Sequence, residues 1–121
     1  MRYRVMNLTR NTLLADQASR ADTFMERFKG LMGVEDLPLG HGLQIAPCTS
    51  IHTFFMKFAI DVAFVAKDGR VVKVCAAMPP WRLAGAFRAH AVVEMTAGAL
   101  TRSGISKGDL LEVVPNPSST V

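Results

Sequence analysis

Apolar positions along this chain fall mostly into short alternating runs, the period of half-buried strands, and only one segment repeats at helical spacing. Residues 2–8, RYRVMNL, alternate loosely, and Leu13 to Ser19 can pair back across a polar turn from Thr9 to Thr12 as a hairpin. Thr23 then opens a T-x-x-E pattern with Glu26, in which a hydroxyl and a carboxylate satisfy free amides at a helix start. Met25, Phe28 and Met32, with Phe24 and Leu31 beside them, recur at three-to-four spacing before Gly33, which predicts an amphipathic helix over about 23–32, laid on a sheet. A loop punctuated by Pro and Gly follows from Val34 to Gly42, and a strand begins at Leu43. It runs into the stretch Pro47 to Phe64, PCTSIHTFFMKFAIDVAF. Lys67-Asp68-Gly69-Arg70 separates the apolar runs AIDVAFVA and VVKVCAA, and Asp-Gly between alternating hydrophobics predicts a hairpin. Ala77 to His90, with Met78-Pro79-Pro80-Trp81, reads as an irregular surface loop. Ala91 to Thr96 alternates again, Ala97 to Gly104 suits one helical turn, and Leu110 to Val114 forms a last strand. The pattern predicts a single mainly β domain over 1–115 with one or two short helices, a compact antiparallel β-sandwich or barrel, and a disordered tail over 116–121.

Composition narrows the class. Half the 121 residues are hydrophobic and a fifth are charged, enough to bury a core without disulfide or metal staples. The net charge of +4 is dispersed, with acids between the basic residues, so it reads as a solvated surface and argues against a nucleic-acid footprint. Cys48 and Cys75 are the only cysteines and form no C-x-x-C pair, the usage of a reduced protein, although one long-range disulfide between them is left open. The N-terminus lacks the apolar core of a signal peptide, and the uncharged run from Leu37 to Met56 is broken by Pro, Gly and polar residues. These features predict a cytoplasmic protein with no membrane span.

Candidate chemistry concentrates in the stretch from Pro47. On a continuous strand Cys48, Ser50, His52, Phe54 and Met56 share one side, placing a thiol, a hydroxyl and an imidazole in a row. Cys48 with His52 has the makings of a nucleophile and base, but four strand positions separate them by about 13 Å, so contact needs a bend. A metal would need a third ligand from Asp61, Cys75, His41 or His90. C-x-x-x-H is not a common zinc spacing, and no metal or cofactor is assigned. Asp61, flanked by Ile60 and Val62, must find donors or lose its charge; backbone amides from the helix end near Gly30 or from a loop are the expected partners. Glu94, between Val93 and Met95, poses the same problem, and Asp109 after Gly108 suits a turn. Arg27 on the helix could pair with Asp61 or Glu94, and a cleft holding that pair with His52 and Trp81 would suit a small polar or anionic ligand.

The segments Arg27-x-x-Gly30-Leu31-Met32, Pro47-Cys48, Ile51-His52-Thr53, Met56, Phe58 and Ile60-Asp61 through Phe64 carry a resemblance. Gly69, Val71, Pro79, Glu94, Gly98 and Gly108-Asp109 extend it. With them the chain resembles the DUF192 family, also called UPF0127, over about residues 12–114. These are small bacterial and archaeal proteins of uncharacterised function. The resemblance implies a jelly-roll type of β-sandwich or barrel with a helix, and it supplies no catalytic mechanism because none is established for the family.

The combined reading is a non-enzymatic module for a small ligand or a protein partner, with a site around Cys48, Ser50, His52 and Asp61 and further candidates in Arg27, Trp81 and Glu94. The alternative is a hydrolase or transferase using His52 as base with Cys48 or Ser50 as nucleophile. Neither the ligand nor the oligomeric state is legible.

Overall fold

In the computed structural model residues 1–117 are described; the packing read for Phe24, Met25 and Phe28 and the tail from Ser118 onward lie outside the described residues. The elements in chain order are β1 (Tyr3–Asn7), β2 (Thr12–Ala21), α1 (Phe24–Lys29), β3 (His41–Ile45), β4 (Ser50–His52) and β5 (Ile60–Val65). They continue as β6 (Val71–Met78), β7 (Leu83–Gly85), β8 (Ala91–Thr96), α2 (Ala99–Ser103) and β9 (Leu111–Pro115). Seven strands make one sheet in the order β6-β5-β8-β3-β2-β1-β9, and β4 with β7 makes a separate two-stranded ribbon.

The mainly β expectation holds, with one refinement. Every adjacent pair is antiparallel except β2 and β3, which run parallel. A parallel pair needs a long crossover, and residues 22–40 supply it, with α1 inside. Thr23 caps α1 as its pattern predicts: the hydroxyl accepts from the Glu26 amide at 3.1 Å, and Glu26 Oε1 accepts from the Thr23 amide at 2.9 Å. The helix stops at Gly30, short of the predicted residue 32, because Gly30 turns at φ 52°, ψ −125°.

The sheet curls until its two edges meet at one end. Arg70 bridges Leu110, the Leu111 amide donates to Gly69 O and the Val71 amide donates to Asp109 O, both at 2.8 Å. The hairpin glycine Gly69 sits at φ +96°, and a Cβ there would lie 2.9 Å from Leu111 O, so this closure requires glycine. Asp109 clamps the same end. Its Oδ2 accepts from Asn7 Nδ2 at 2.9 Å, from Arg10 Nε at 2.6 Å and from the Ser106 amide at 2.9 Å, holding its carboxyl well below the usual range, at about 2. Asn116, in the segment read as tail, is buried and donates to Asp16 O at 2.8 Å through its side chain and to Arg2 O at 2.9 Å through its amide.

Two apolar cores lie on opposite faces of the sheet. One gathers Val5, Leu14, Ala63, Val93, Met95 and Leu111 against Leu100 of α2. The other gathers Leu43, Ile45, Val62, Phe64 and Val92 under Leu31, Ile51 and Met56. Strand alternation assigns Asp61 and Met95, which pair across strands, to the first face, and Glu94, paired with Val62 and Leu43, to the second.

The stretch from Pro47 to Phe64 corrects the sequence reading, since it is not one continuous strand. Proline brings no N–H to a ladder, and the chain leaves the main sheet after Ile45, lends Ser50–His52 to the ribbon, turns through Phe55 at φ 64°, and re-enters as β5. The row of alternating side chains from Cys48 to Met56 is therefore broken. The loop read from Ala77 to His90 contains β7, which pairs with β4.

Candidate functional site

The candidates separate into three places. Asp61 lies on the α2 face, 1% exposed, with both oxygens engaged: Oδ1 accepts from the Ala77 amide at 2.7 Å, and Oδ2 from the Gly98 and Leu100 amides at 2.9 Å each. Backbone amides from loops are the partners the sequence suggested, but they come from the β6 end and the start of α2 and not from Gly30. Three backbone amides thus hold the Asp61 side chain as a brace between the end of β6 and the start of α2.

His52, Phe54, Phe55 and Trp81 form a second group at the ribbon. His52 stacks on Phe54 with ring centroids 5.0 Å apart, and Trp81 contacts Phe54 at 5.7 Å and Phe55 at 4.8 Å. The imidazole Nδ1 accepts from the Phe54 amide at 3.1 Å, which fixes the ring as the cap of its own turn. Ser50 is exposed, and its carbonyl accepts the Cys48 thiol at 3.0 Å. Cys48 and His52 therefore each bond elsewhere. Burial pushes the Cys48 thiol up; the Ser50 contact opposes this, the Glu94 charge adds to it, and Arg27 counters it. A raised thiol pKa keeps the nucleophilic thiolate scarce.

Glu94 is the third place. It is 2% exposed, and Oε1 is the only buried side-chain oxygen or nitrogen without a hydrogen-bond partner among the described residues. Its cross-strand neighbours are Leu43 and Val62, and in that apolar setting burial pushes its carboxyl up to about 8. Above it lies the end of α1: a Cβ on Gly30 would lie 3.7 Å from Oε1. A cavity of about 210 Å3 opens at the same glycine, lined also by Arg20, Glu26, Lys29, Val34 and Leu43. Arg27 does not pair with Glu94 or Asp61. Its guanidinium donates to Asp22 O at 3.2 Å, within electrostatic reach of the Cys48 thiol.

The sequence pointed to Glu94 as an awkward carboxylate in need of donors and as a candidate ligand residue beside Arg27. It missed Gly30 as the neighbour of Glu94, because the end of α1 reaches that carboxyl only through the β2–α1–β3 crossover. The glycine directly after the basic end of a capped helix was the available signal. Cys48 and Cys75 are both free, and among the described residues no three His, Cys, Asp or Glu side chains gather as a metal site. No helix among the described residues is long and apolar enough to cross a membrane.

A curled seven-stranded sheet with a ribbon and a helix packed on one face, and a buried unpartnered carboxyl beneath that helix, defines a small β domain with one candidate ligand site. The chain belongs to the DUF192 family, described as an uncharacterized ACR, whose model matches residues 6–113. It is 32% identical over 118 residues to a UPF0127 protein of Thermococcus kodakarensis, covering 92% of this chain and 73% of that one. It is 31% identical over 116 residues to a UPF0127 protein of Pyrococcus furiosus, covering 89% and 96%. A solved structure of a protein of unknown function from Novosphingobium aromaticivorans superposes with a TM-score of 0.77 at 26% identity, covering 91% of this chain and 82% of that one. A second, from Sinorhizobium meliloti, shares the fold with a TM-score of 0.78 at 23% identity, covering 92% and 91%.

Proposed function

We propose that the protein is a non-enzymatic binding module for a small anionic ligand, held between Glu94 and the cavity at the end of α1. The observation that carries this reading is the unpartnered Oε1 of Glu94. A buried carboxyl with no partner costs stability, and its neutral form offers one O–H donor and an open acceptor to an incoming group. With a pKa of about 8 the acid is mostly protonated at neutral pH and can donate to a carboxylate or phosphate oxygen, while Arg20 and Lys29 in the lining of the adjacent cavity set two positive charges against the one carboxylate of Glu26. Cys48 and Arg27 border this place; His52, Ser50 and Trp81 belong to the ribbon, and Asp61 to the opposite face.

The test is a thermal-shift screen of the purified chain at pH 6 against small carboxylates, inorganic phosphate, amines and divalent metals, with Glu94→Leu alongside. A ligand at a hundred times its Kd stabilises by about 2.7 kcal/mol. The expected result is a rise with a carboxylate or with phosphate that disappears in Glu94→Leu. A rise only with amines or metals, or the same rise in the variant, would overturn the proposal, as would no rise with any compound.

A further inference from the structure

The geometry points to a second, independent binding place: the free edge of β6 is a docking groove for an extended acidic polypeptide. In the main sheet β6 pairs with β5 alone. At Val71 its outer side is taken by the Asp109 carbonyl and the Gly108 amide, and from Val72 onward no strand lies beside it among the described residues. Between this edge and the segment after β7 runs a groove of about 730 Å3. Valines 72 and 74 give it an apolar side, Phe87 stands 90% exposed on it, and Lys73, Arg88 and Lys107 line it with no acidic residue among them.

Each feature selects the occupant. Unpaired backbone donors and acceptors are matched only by another polypeptide, and the register shift at Val72 turns that side chain toward the Phe64 core and leaves Val74, on the other side of Lys73, for a side chain of an added strand. Three cations without an acid select a negatively charged segment. Lysine on an edge ordinarily guards it against pairing. Here the Lys73 ammonium is drawn over the groove instead, donating to Gly85 O at 3.0 Å and lying 5.8 Å from the Phe64 ring centroid. A second copy of this chain is a poor occupant, because its own edge brings the same cations. Single-stranded nucleic acid matches the charge but would find one exposed aromatic ring in the groove, where successive bases need several.

The test is fluorescence-anisotropy titration of the full chain with a labelled peptide of about eight residues alternating Glu and Val, a length that matches the free edge. Comparison probes are the Lys–Val counterpart, the Glu–Val peptide N-methylated at alternate amides in either phase, and an oligothymidylate of similar length. The Glu–Val peptide is expected to bind about tenfold or more tightly than the Lys–Val peptide and than one of the two N-methylated forms. The double variant Lys73→Glu/Arg88→Glu is expected to lose the acidic peptide and gain the basic one, a gain that an unfolded variant cannot show. No binding of the acidic peptide, equal binding of both N-methylated forms, no reversal in a folded variant, or tighter binding of oligothymidylate would each overturn the inference.

Discussion

Replacing Glu94 by Gln removes a titrating proton while nearly preserving shape, so it isolates the cost of burying this carboxyl. Burial holds the folded pKa at about 8, against 4.5 for an ordinary glutamate. The folded state therefore binds the proton more tightly than the unfolded chain. Between those two values the unfolded state holds fewer protons, and stability falls as pH rises. The loss accumulates at about 1.4 kcal/mol per pH unit, reaching on the order of 3 kcal/mol at pH 7, and levels off above pH 8. Glutamine carries no such proton. In urea titrations at pH 5, 6, 7 and 8, the stability of Glu94→Gln relative to the unsubstituted chain should rise with pH by this slope and then flatten. Contributions common to both proteins, including the three histidines, cancel in the difference. A difference independent of pH would refute the reasoning. A difference of opposite slope would show Glu94 ionised and paired in the folded protein.

Two further substitutions test the structural carboxylates. Asp61→Asn turns an acceptor of three amides into a group with one N–H2 facing donors, and should cost about 1 to 3 kcal/mol in urea unfolding; an unchanged midpoint would contradict this role. Asp109, held down by Asn7 and Arg10, contributes stability that is present above pH 4 and lost as pH falls through about 2. In acid titrations followed by circular dichroism, Asp109→Asn should show a shallower fall in this window, and identical acid profiles would exclude the clamp.

Local chemistry was legible wherever a few neighbouring residues decide the outcome. Thr23 with Glu26 determines a helix start, and Asp68-Gly69 determines a hairpin, because caps and tight turns are satisfied within a few positions. The alternation of Ala91 to Thr96 located a buried strand. What stayed hidden depends on distant partners or on backbone conformations that side chains do not advertise. Phe55 adopts positive φ without glycine, and the turn it makes divides what reads as one strand. Asp61 and Glu94 look alike in sequence, each an acid inside an apolar run. Only the folded chain shows that one meets three amides from the β6 end and the start of α2 while the other lies opposite Leu43 and Val62. The proposed groove was invisible for the same reason: Lys73, Arg88 and Lys107 are scattered along the chain and converge only where the sheet curls.

The pairing of β1 with β9 has a consequence for how the chain is made. Tyr3 lies opposite Pro115 and Asn7 opposite Leu111, so the domain's first strand waits for its last before its outer edge is covered. The β1–β2 hairpin can close early, but Arg10 and Asn7 gain their Asp109 partner only once the segment leading into the domain's last strand is present. Contacts this far apart in sequence incur the loop-closure entropy before any of their stabilisation is realised, which makes folding slow and late for a domain of this size. Until then an open edge is exposed to other chains, and the polar and charged residues of the β1–β2 turn shield it only in part.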